Sequence, residues 1–108
     1  MLIVFTTTPN IGEAETLAYR IVEARLAACV QVLPTIKSFY FWENAIQTEF
    51  EYMLLIKTLE EKYDELEKFI KANHSFDVPE IVAVSSEKVS GDYLSWMIEY
   101  LNQKPARK

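Results

Sequence analysis

The chain has little of what staples or punctuates a fold. Only one of its 108 residues is cysteine, so no disulfide can close within it, and an oxidising compartment is not indicated. Two glycines and four prolines exclude collagen-like and low-complexity disordered classes. Gly12 and Gly91 stand too far apart to build a phosphate-cradling loop together. No apolar run approaches the ~20 residues of a membrane span. The opening MLIVFTTTPN lacks the basic start of a signal peptide. Bases are outnumbered, 11 against 16 acids, for a net charge of −5. A nucleic-acid binder needs a basic face to neutralise phosphates, so that class is excluded. The expectation is a cytoplasmic protein with neither nucleic-acid nor membrane partners.

What is abundant is apolar and aromatic. Half the residues are hydrophobic, enough for one core at this length. We expect a single domain over 1–102 and a frayed tail over 103–108. The most informative stretch runs from Cys29 to Thr58, CVQVLPTIKSFYFWENAIQTEFEYMLLIKT. Two β-rich arms flank a short polar break, which predicts a hairpin. Strand alternation sets Ile36, Ser38, Tyr40 and Trp42 against Lys37, Phe39 and Phe41 on the first arm. On the second, Phe50, Tyr52, Leu54 and Ile56 alternate with Glu49, Glu51, Met53, Leu55 and Lys57. One face is expected to be almost wholly apolar, and Phe39, Phe41, Met53 and Leu55 make the other greasy. Fully extended, Cys29 to Trp42 spans about 46 Å at roughly 3.3 Å per residue. A chain of this size has a radius of gyration of only about 13 Å. The arms should outreach their domain even though Pro34 interrupts the first.

Around the hairpin the periodicities are plain. Leu2 to Thr6 predicts a strand. Asn10 with Glu13 forms a capping box for a helix burying Ala14, Leu17, Ala18, Ile21 and Val22 and ending near Leu26. Thr58 with Glu61 predicts a second capping box, ahead of a helix with Leu59, Tyr63, Leu66, Phe69 and Ile70 on one stripe. Glu80 to Ser85 predicts another strand. Ser90 caps a last helix carrying Tyr93, Leu94, Met97, Ile98 and Leu101. The order β-α-β-β-α-β-α predicts an α+β fold, a ferredoxin-like βαββαβ sandwich with a long central β-hairpin and an extra C-terminal helix.

Few residues offer chemistry. His74 has Asp77 and Glu80 close behind, a set that suits a divalent cation. The plainer reading of those residues is a surface loop whose histidine closes a helix end. Cys29 is a soft ligand or a small core residue. Trp42 and Trp96 read as core aromatics, and Lys57 as a snorkelling side chain. No nucleophile is paired with a base, so an enzyme using Lys57, His74 and Glu80 as acid–base groups is disfavoured.

Five stretches together, ARLAACVQVLP, SFYFWEN, the strand-end KT at Lys57, DVPEI and GDYLSW, resemble the CutA divalent-cation tolerance family. The resemblance covers nearly the whole chain. It implies a homotrimer of ferredoxin-like subunits related in architecture to PII-type signalling proteins. It also implies tolerance of copper and other divalent metal ions, with no obligatory cofactor. The clefts between subunits that it implies would be lined by Cys29, Trp42, Lys57, His74, Glu80 and Tyr93, of which His74, Glu80 and Cys29 are our candidate metal ligands and Trp42, Lys57 and Tyr93 cleft residues. A PII-like sensor taking a small anion at Lys57 is the alternative. The chain departs from the family at His74–Phe76, where HPY is usual, and at Asn44, where glycine is usual. Copper-binding members carry cysteine and a second histidine where this chain has Thr6 and Asn73.

Overall fold

The computed structural model describes residues 1–103. The element order is β1 (Leu2–Thr8), α1 (Ile11–Glu23), β2 (Cys29–Val32), β3 (Ile36–Trp42), β4 (Ala45–Thr58), α2 (Tyr63–Ala72), β5 (Val82–Ser85) and α3 (Gly91–Leu101). The sheet runs β2-β4-β1-β5, antiparallel throughout, with β3 pairing β4 beyond the end of β2. This is the α+β, ferredoxin-like sandwich that the element order predicted. The last strand begins at Val82 rather than Glu80, which belongs to the preceding loop. From Lys104 on, the expected tail lies outside the described residues.

Amphipathic periodicity places α1 and α2 on one face. Ala14, Leu17 and Ile21 of α1 and Leu66 and Ile70 of α2 pack on Val4, Leu54 and Ile56 of the sheet. Each fully buried Leu or Ile contributes about 1.5–3 kcal/mol. α3 closes a smaller cluster in which Met97 and Leu101 meet Ala28 and Leu59. The sheet's other face carries Ile3, Phe5, Met53 and Leu55, half-buried, and Val82 and Val84, exposed on the edge strand.

The helix ends differ in how well local chemistry forecast them. Asn10 Oδ1 accepts from Glu13 N–H at 2.8 Å, as expected of an N-cap. Ser90 caps α3 in the same way, through Tyr93 N–H. The second capping box does not form. Thr58 Oγ1 instead donates to Leu26 O at 2.7 Å inside the core, and α2 is entered through a 3-10 turn at Glu60–Lys62. A buried hydroxyl needs a partner more than a solvated helix end does. At the end of α1, Leu26 N–H reaches Ile21 O and Arg25 N–H reaches Val22 O, a Schellman closure. Arg25 therefore sits at φ 60, a position glycine commonly fills.

The first arm is not one strand. β2 pairs β4 as Val32↔Leu54, and β3 resumes as Ile36↔Glu51. Leu33, Pro34 and Thr35 thus stand opposite only Tyr52 and Met53, a bulge of one extra residue. Because side chains alternate with period two, one extra residue flips β3. Ser38, Tyr40 and Trp42 come to share a face with Glu49, Gln47 and Ala45. Phe39 and Phe41 share the other with Thr48 and Ile46, next to Phe50 opposite Lys37. The apolar face expected from Tyr40 and Trp42 with Phe50 is corrected by this register.

β1 ends its pairing at Thr8↔Tyr52. Beyond that point β3 and β4 continue as a two-stranded ribbon, and the molecule extends 46 Å along its longest axis. The ribbon closes at Glu43 and Asn44, with φ of 52 and 61, the both-positive geometry of a type I′ turn.

Candidate functional site

The structure distributes the candidate residues over two places. At one end of the sheet Cys29 pairs directly with Lys57. The Lys57 ammonium lies 5.7 Å from the centre of the Tyr93 ring, contributed by α3. Desolvation, then the neighbouring Cys29, pushes the Tyr93 hydroxyl above its ordinary range. Trp96 stacks beside Tyr93 at 5.6 Å. Cys29 is half-buried and free, so the three groups form a small open cluster of thiol, phenol and ammonium.

The second place lies between the ribbon and the loop from His74 to Glu80. His74 Nε2 stands 2.7 Å from Thr7 O, and Nδ1 accepts from Phe76 N–H at 3.0 Å. With Nδ1 accepting, the proton sits on Nε2, which donates to Thr7 O. Both ring nitrogens are thereby engaged, and the side chain has no exposed surface. Ser75 donates its N–H and Oγ–H to the Glu13 carboxylate, at 3.1 and 2.8 Å. A proline at position 75 could not supply that N–H. These bonds fix the loop against α1 and β1.

Held there, the loop faces the Ser38–Tyr40–Trp42 side of the ribbon across a groove of about 920 Å³. Glu43, Glu49, Glu51, Asp77 and Glu80 line it, with Tyr40, Trp42 and Phe76 among its walls. Trp42 Nε1 donates to Glu43 Oε1 at 3.0 Å. Desolvation, then Glu49 and Glu51, raises the Tyr40 hydroxyl. Trp42, read as core, is over half exposed.

Cys29, Lys57 and Tyr93 are thus neighbours, while Trp42, Asp77 and Glu80 line one groove. His74 stands behind the groove and joins neither set through a free ring nitrogen. Among the described residues no three of His, Cys, Asp or Glu converge as a metal-holding group. Glu49 and Glu51 were missed as site residues because alternation read without the bulge set them beside Phe39 and Phe41 rather than Ser38, Tyr40 and Trp42. Leu33, Pro34 and Thr35 carried the available signal.

The architecture and its two clusters define a ferredoxin-like α+β protein with a projecting ribbon. The family model described as CutA1 divalent ion tolerance protein matches residues 2–100. The chain is 42% identical over 96 residues to Protein CutA 1, chloroplastic, of Oryza sativa, covering 89% of this chain and 54% of that protein. It is 40% identical to the divalent-cation tolerance protein CutA of Archaeoglobus fulgidus, across 89% of this chain and 93% of that one. The solved structure of the periplasmic divalent cation tolerance protein CutA from Archaeoglobus fulgidus superposes with a TM-score of 0.91 at 37% identity, covering 94% of this chain and all of that one. CutA1 from Pyrococcus horikoshii gives 0.91 at 35% identity, over 95% of this chain and 100% of that one. The chain spans about half the length of the plant relatives it matches. It belongs to the CutA1 divalent ion tolerance family. The archaeal relatives are named as tolerance proteins rather than enzymes. Among the described residues no helix is long and apolar enough to cross a membrane.

Proposed function

We propose that this chain acts in divalent-cation tolerance as a cytoplasmic homotrimer joined through the ribbon of β3 and β4. The observation that carries the reading is the ribbon's flipped face. Phe39, Phe41, Ile46 and Phe50 stand there side by side, 64–69% exposed. A two-stranded ribbon is marginal alone in water, and an apolar patch of this kind marks an interaction surface. The sheet face bearing Phe5, Leu55 and Val82 is a surface of matching chemistry. An arm of one copy on the sheet of the next is a head-to-tail contact, which closes as a ring, and three is a small closed number. Light scattering at micromolar concentration should give three times the chain mass. Phe41→Glu should reduce it to a monomer with an unchanged helical spectrum. A monomeric parent would overturn the reading.

The cation contact falls to Cys29, His74 and Glu80, brought together from different copies. Thiolate, imidazole and carboxylate suit copper, as Cu(I) or Cu(II), better than hard cations. A metal at His74 takes the place of Phe76 N–H on Nδ1. Calorimetric titration with Cu(II) should show affinity falling in His74→Ala and Glu80→Gln. Binding unchanged in both would remove these residues from the site. The Lys57–Tyr93–Cys29 cluster favours a second reading, a PII-like site for a small anion, which nucleotide titrations of the same sample would reveal.

A further inference from the structure

We draw no further inference here: the strongest candidate, the apolar groove between α1, the edge strand β2 and the last turn of α3, carries nothing because nothing among the described residues shows what covers it.

Discussion

His74 shows how much one side chain can do for a loop. Its ring ties Thr7 O to Phe76 N–H, and Ser75 ties the same loop to Glu13. Replacing it with alanine leaves the carbonyl of buried Thr7 without its donor. His74→Ala should therefore lower stability by about 1–3 kcal/mol in urea denaturation, whatever happens to copper. Tyr93 offers a cleaner electrostatic test. Its pKa is raised by desolvation first and by Cys29 second. The neutral phenol is thus favoured in the folded state. That contribution is fully present below the ordinary tyrosine value of about 10 and is lost as pH rises through the higher folded value. Cys29→Ala should bring the phenolate absorbance step down only part of the way, because desolvation remains. Tyr93→Phe identifies the step.

At the scale of elements, strands and helices were legible because each keeps one period for its whole length. Leu17 with Ile21 and Leu66 with Ile70 announce their helices, and Leu54 with Ile56 announces its strand. What sequence did not disclose was phase. Pro34 advertised an interruption, but whether β3 resumed in the same phase or one residue out depended on pairing with β4, a tertiary fact. The capping box at Thr58 failed for a related reason, since the hydroxyl found Leu26 O across the core. Arg25 at a glycine-like φ gave no warning, because its closure rests on backbone bonds and on a side chain stacked 3.8 Å over Tyr100. Phase is testable. Deleting Thr35 removes the extra residue and should return Phe39 and Phe41 to the loop side. Light scattering should then show loss of assembly, while the α1–α2 sandwich keeps its circular dichroism. The turn makes a smaller prediction. Glu43 holds φ 52 without a glycine's freedom, so Glu43→Asn should raise stability by about 0.5–1 kcal/mol in the same denaturation assay.

For the whole molecule, the ribbon divides labour between its faces. One is apolar and exposed in the single chain, and the other is acidic and looks inward to the loop. Phe41→Glu should dissociate the proposed trimer while the α1–α2 sandwich keeps its melting transition, followed by circular dichroism. The site residues were only half legible at this scale, since Cys29, Lys57 and Tyr93 meet across elements far apart in sequence.

The central position of β1 carries a consequence for how the chain comes to be folded. Leu2 lies between Thr58 on one side and Ser85 on the other, so the earliest strand is completed only by much later segments. Contacts of such long sequence separation slow folding, because loop closure must precede any reward from pairing. During synthesis β1 and α1 must wait, unpaired, until β4 has cleared the ribosome. The apolar ribbon is made in that interval, before β5 exists to complete the sheet. Protection of nascent chains against protease should therefore appear in two steps, the first after Thr58 has emerged and the second after Ser85, rather than rising evenly with length.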